Sequence, residues 1–157
     1  MFSIASTSKA NILLWVKGKY GKIAANSVVG GQENYQQVYV ESFKSRSGSL
    51  IPGKLKEGST PDECAHFGVQ TSNTYEILTI SNSKQQIKWS KTTGTNIPEG
   101  ALLVSMDGGY HRYSARIHHP SGSILLGKYI MPNGVFYYSY QGRELEATAD
   151  FEVLCIA

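Results

Sequence analysis

A chain of 157 residues fits one compact domain or two small half-domains and is long enough to bury a core. Hydrophobic residues make up 41% and charged residues 17%, with 16 glycines and 10 tyrosines, a folded and turn-rich composition that excludes a disordered chain. The net charge of +3 is scattered, with only Lys17, Lys19 and Lys22 clustered; that cluster reads as a solvated face, which argues against a nucleic-acid-binding protein.

Residues 1–14 form an N-terminal segment. The opening MFSIASTSKANILLWVKGK has no basic start followed by an unbroken apolar run, so no secretory leader or membrane span is read there, and cytoplasmic residence is expected. From Trp15 onward the signals are short strands and turns. GGQENYQ is a loop, QVYVESFK is rich in β-branched and aromatic residues, SRSG is a turn, SLIPGKL a return strand, and TYEILTISN a closing strand. Residues 81–88 read as a linker. In the second half YIMPNGVFYYSY places Pro-Asn-Gly between two strand-like runs, a hairpin signal. No stretch sustains a helical period.

The second half repeats the first. Residues 15–54 laid without a gap over 89–128 give nine identities in forty positions, among them Trp15 with Trp89, Tyr39 with Tyr113, and the phrase SGS-x-x-x-GK at 47–54 with its twin at 121–128. The register then slips by two, and TYEILTI from Thr74 matches DFEVLCI from Asp150. The chain is therefore read as two copies, 15–80 and 89–157. The expected fold is all-β: two tandem, pseudo-two-fold related antiparallel β-sheet motifs packed into one compact domain, face to face or with exchanged strands. Alternation places Tyr39 and Phe43, with Tyr113 and Ile117 in the second copy, on the core face, and Trp15 and Trp89 are expected to pack there too.

Each copy carries an acid 21 residues before a lysine: Glu33 before Lys54, and Asp107 before Lys128. If each return strand runs back to the acid-bearing loop, acid and lysine meet at one end of the sheet. Glycines surround both groups: Gly30, Gly31, Gly108 and Gly109 near the acids, Gly53 and Gly127 before the lysines. They would let a small ligand approach the backbone. A surface salt bridge would explain a single such pair. Recurrence through a duplication that changed most positions favours a site instead. Carboxylate beside ammonium suits vicinal hydroxyls, since the acid accepts from two sugar OH groups while the lysine donates. Tyr110, with Tyr113 and His111, or Tyr35 in the first copy, could cover the apolar face of a monosaccharide.

The segments W…IPEGALLVSMDGG…YSARIHH…SGSILLGK…YSYQGRE…FEVLCI resemble the DM-nine repeat family over about residues 15–157. The duplicated arrangement is similar to that family's two-motif, mannose-binding invertebrate lectins. The resemblance implies paired antiparallel sheets, calcium-independent recognition of mannose or mannose-rich glycans, homodimerisation, and a part in innate recognition of microbial surface polysaccharide. It also implies a protein without a signal peptide, with vesicle association or unconventional release as a further expectation. The family's sugar-binding aspartate and lysine carry over onto Asp107 and Lys128, and through the repeat onto Glu33 and Lys54; Gly108, Gly127, Gly53, Tyr110 and Arg116 are the supporting residues. The first copy departs from the pattern with Glu33 for aspartate, Ala24 where the second has Pro98, and Ser42 where the second has Arg116. The GREL segment at 142–145 stands for the family's GKEH-like segment, which the first copy replaces with FGVQT.

Other functions fit the residues less well. No G-x-S-x-G elbow or other catalytic spacing organises His118, His119, Asp107 and the serines, so no enzyme is expected. Adjacent His118 and His119 on a strand point to opposite faces and cannot share a metal, and neither a zinc pattern nor an acidic cluster for calcium occurs. No cofactor and no membrane insertion are expected. Cys64 and Cys155 do not occupy equivalent repeat positions, and no disulfide is expected. The alternative is a protein-interaction or structural β module whose sugar site has decayed.

Overall fold

A computed structural model of the chain describes residues 2–8, 11–45, 48–56, 62–65, 69–72, 74–80 and 87–156. Arg46 and Ser47 of the first turn, Phe67 and Gly68, and 81–86 of the expected linker lie outside the described residues.

The described elements are all strands: β1 Phe2–Ser8, β2 Asn11–Lys19, β3 Val29–Glu33, β4 Gln36–Lys44, β5 Leu50–Lys56, β6 Asp62–Ala65, β7 Val69–Ser72, β8 Thr74–Ile80, β9 Ile87–Thr92, β10 Leu103–Asp107, β11 Tyr110–His118, β12 Ile124–Met131, β13 Val135–Tyr140, β14 Arg143–Ala147 and β15 Phe151–Ile156. All pair antiparallel in one branched sheet whose main path runs β1-β2-β8-β4-β3-β12-β11-β15-β9. The expected boundaries at 15 and 89 fall inside β2 and β9, so each copy's first strand starts earlier than its tryptophan.

The duplication recurs in backbone hydrogen bonds. Val28 N–H donates to the Leu78 carbonyl and Ile80 N–H to that of Asn26; their twins are Leu102 to Leu154 and Ile156 to Gly100. The bulge between Val29 and Gly31 on β3 recurs between Leu103 and Ser105 on β10. The turn around the repeated Gly-Ser is closed alike in each copy: Ser45 N–H donates to the Ser49 carbonyl at 2.8 Å, as His119 N–H does to that of Ser123 at 2.8 Å. Gly48 and Gly122 sit there at φ of 90° and 94°, where a side chain would be strained.

Among the described residues, sheet continuity between the copies rests on one backbone pairing, Ile124 of β12 with Gln32 of β3. Gly31 permits it, because a Cβ there would be driven into the Ile124 carbonyl. On the opposite side of the pseudo-two-fold, Ser105 takes the place of Gly31, and its hydroxyl donates to the Leu50 carbonyl on β5 at 2.7 Å. The same contact is made by backbone on one side and by a side chain on the other.

Three apolar clusters form the core. A shared one draws Leu13, Trp15, Val28, Val38, Val40 and Leu78 from the first copy and Leu102, Leu126 and Leu154 from the second. Each copy also keeps its own: Tyr39, Phe43, Ile51, Leu55, Tyr75 and Ile77 in the first, and Tyr113, Leu125, Tyr129, Phe136 and Phe151 among others in the second. Strand β4 alternates between them, so it is buried on both faces. This corrects the placement of the tryptophans. Trp15 lies in the shared core, on the face opposite Tyr39 and Phe43, and Trp89 packs half-buried at the margin of that same core. Leu13 and Trp15 of β2 face the other copy, which two-residue periodicity alone does not reveal.

Candidate functional site

In the first copy, β3 and β4 are joined by a tight turn in which Asn34 and Tyr35 adopt φ of 50° and 65°. Gly108 and Gly109, at 54° and 82°, make the same turn between β10 and β11. Each turn follows directly on its acid. The side chain of Tyr35 stands fully in solvent, and Tyr110 is exposed beside its own turn.

Lys54, opposite Val40 on β5, returns to the acid as the repeat predicts. Its Nζ donates to Glu33 Oε2 at 2.7 Å and to the Ser139 carbonyl on β13 at 2.6 Å. Lys56 Nζ lies 3.3 Å from Glu33 Oε1. The Glu33 and Lys54 side chains are only 4% and 1% exposed. A buried ion pair of this kind tolerates desolvation because the ammonium and the carboxylate each find more than one partner. It also ties β3 and β5 to the second copy through Ser139.

The second copy arranges its charges differently. Asp107 is 42% exposed at the side chain and receives Arg112 Nη1 at 2.9 Å. The Ser49 hydroxyl reaches Asp107 from the first copy at 3.4 Å. Lys128 is buried on β12 opposite Ser114, with its ammonium 5.5 Å from the Tyr137 ring centroid. Asp107 thus pairs with Arg112 and not with Lys128. Arg112 was missed in the sequence, although one signal for it existed: it occupies the repeat position of Val38, a core valine replaced by a charge.

Of the supporting residues, Gly108 makes the turn and Tyr110 is adjacent to it. Gly127 serves a different purpose from ligand approach, since a Cβ there would overlap the Tyr137 carbonyl and the Tyr138 backbone of β13. Gly53 is buried opposite Glu41 on β4. Arg116 is engaged away from the turn: its Nε donates to Glu152 Oε1 at 2.8 Å, its Nη1 to the Gly30 carbonyl at 3.0 Å, and its guanidinium lies 4.4 Å from the Trp89 ring centroid. His118 Nε2 also contacts Glu152, at 3.0 Å. Burial raises the Glu152 carboxyl, but the hydrogen bonds from Arg116 and His118 outweigh it and hold the group below the usual carboxylate range.

Among the described residues no group of three or more His, Cys, Asp and Glu is disposed to hold a metal ion. Cys155 is a free, buried thiol; the Cys64 side chain lies outside the described residues. None of the described elements is a helix long and apolar enough to cross a membrane.

With this geometry in view, comparison with known proteins is informative for the fold alone. No protein-family model matches the chain, and no curated protein matches it. The crystal structure of the nematode sperm cell motility protein MFP2B is similar, with a TM-score of 0.67 over 90% of this chain at 15% sequence identity. This chain spans 43% of that protein, less than half its length. The likeness is to its β architecture.

Proposed function

We propose that the chain is a non-enzymatic, calcium-independent carbohydrate-binding module directed at mannose or mannose-rich glycans. The observation that carries this reading is Asp107: an accessible carboxylate at the start of a Gly-Gly turn, flanked by a guanidinium donor, a serine hydroxyl and the exposed Tyr110. Such a group accepts from vicinal sugar hydroxyls while Arg112 donates to the same oxygens, the chemistry first assigned to Lys128. The resemblance to the DM-nine repeats adds support. Homodimerisation would multiply a weak monosaccharide site into useful avidity for microbial surfaces. Cytoplasmic residence, with vesicle association or unconventional release, belongs to the same proposal.

Calorimetric titration of mannose into wild type, Asp107→Ala and Glu33→Ala, with and without chelator, tests it. A chelator-resistant signal lost in Asp107→Ala supports the lectin. Absence of any mannose, glucose or galactose binding by the wild type refutes it.

A second reading has its own observation. The Glu33–Lys54 pair is closed off from solvent and joins the two copies, as expected if that pair is a structural fastener. On this reading the chain is a protein-interaction β module, and sugar titrations are silent.

A further inference from the structure

Three residues lie directly abreast on β2, β8 and β4: Lys17 pairs with Glu76, and Glu76 with Ser42. The second copy has the same row as Lys91, Glu152 and Arg116. There the arginine fills the space above the sheet, binding Glu152 and stacking on Trp89. In the first copy serine stands in that position, and a cleft of about 660 Å³ opens, lined by Lys17, Lys19, Ser42, Lys44, Thr74 and Glu76 among others.

The polar groups of this cleft lack what their twins have. Among the described residues none gives Glu76 an ion-pair partner, whereas Glu152 has Arg116 and His118. Ser42 is wholly buried at the floor, and its hydroxyl has no hydrogen-bond partner among the described residues. An unpaired buried hydroxyl is costly. Lys44 replaces His118 and Lys19 replaces Thr93, so the described lining of the cleft carries three lysines and one carboxylate.

That balance selects the ligand. A guanidinium restoring the Arg116 contact would enter a cleft whose described lining already carries two net positive charges. A bare inorganic anion would suit the lysines but face Glu76 with like charge and leave its acceptors unused. An acid carrying hydroxyl donors satisfies both: its anionic group lies among the ammoniums and its hydroxyls donate to Glu76. The cleft also falls in the size range of small-ligand pockets, roughly 300–1,000 Å³. We infer that this cleft is a binding site for an acidic monosaccharide of the uronate type, formed in the first copy alone. The inference rests on the Lys17–Glu76–Ser42 row and is independent of mannose binding at Asp107.

The experiment is a protein-observed NMR titration of the whole chain with glucuronate, glucose and sulfate at constant ionic strength. Glucuronate should bind saturably, about tenfold or more tighter than glucose and sulfate, with shifts centred on β2, β4 and β8 and no displacement by excess mannose. Ser42→Arg, which carries the second copy's guanidinium into the cleft, should abolish binding. Because that variant changes a buried position, Lys44→Ala and Glu76→Gln provide the decisive arms, each expected to weaken glucuronate about tenfold. Absence of glucuronate binding overturns the proposal. So does sulfate or glucose binding as tightly, displacement by mannose, or undiminished affinity in both Lys44→Ala and Glu76→Gln.

Discussion

Replacing Lys54 with methionine tests whether the first copy's acid–lysine pair is a structural fastener. Methionine keeps the apolar stem and removes the ammonium, stranding Glu33 in a site where its side chain is 4% exposed. Breaking a buried pair from one side typically costs 3–5 kcal/mol, and the bond from Lys54 to the Ser139 carbonyl is lost as well. Lys56, 3.3 Å from the other carboxylate oxygen, remains to offset part of this. The expected loss is therefore at the low end, about 3 kcal/mol, or roughly 6–12 °C in Tm for a chain of this size. Urea denaturation followed by fluorescence and by far-ultraviolet circular dichroism measures it. Glu33→Gln with Lys54→Met should destabilise less than the two single changes summed, with a coupling of about 2 kcal/mol. A Lys54→Met loss below about 1 kcal/mol, the range of an exposed pair, would refute the buried-fastener reasoning.

Asp107→Ala should abolish mannose binding in calorimetry; because it leaves the buried Arg112 guanidinium without its carboxylate, it should also cost about 1–3 kcal/mol in urea unfolding while the transition stays cooperative. Gly31→Ala forces a methyl group into the Ile124 carbonyl and should cost about 3 kcal/mol or more in urea unfolding. Gly122→Ala, at positive φ in open space, should cost only about 1 kcal/mol. Glu152 has a folded pKa below its unfolded one, so the unfolded state binds more protons between the two. Its contribution is complete above the ordinary glutamate pKa of about 4.3 and is lost as pH falls through the folded value. Urea midpoints measured from about pH 6 down to about pH 3 should drop less steeply in Glu152→Gln than in wild type.

The repeat was the most legible feature of the sequence because its markers are local. Tryptophan heads, SGS turns and aromatic strand runs are short phrases, and each produced the same turn or strand in both copies. The faces were harder to read. A strand such as QVYVESFK announces alternation, but with both faces buried alternation does not say whether Tyr39 or Val40 meets the other copy. The Glu33–Lys54 meeting followed from strand direction. Its burial did not, since a lysine in a strand gives no sign that a distant carbonyl such as that of Ser139 awaits its ammonium. Arg112 and Arg116 were invisible as partners of Asp107 and Gly30 for a related reason. Both contacts depend on how loops and strands are placed in three dimensions, and the second crosses from one copy to the other.

The shared cluster makes the two copies mutually dependent. A chain of one copy would present Trp15, Val38, Val40 and Leu78 to water on a face that only its twin can cover, and so would associate with itself. In such a symmetric pair every substitution at the seam strikes both sides at once. Joining the copies in one polypeptide releases that constraint: Gly31 can stay bare for backbone contact while its twin becomes Ser105, and Ser42 can vacate the space that Arg116 fills. Within one polypeptide the two halves of the seam are separately adjustable, and here one acid is walled in while the other stands open to the surroundings.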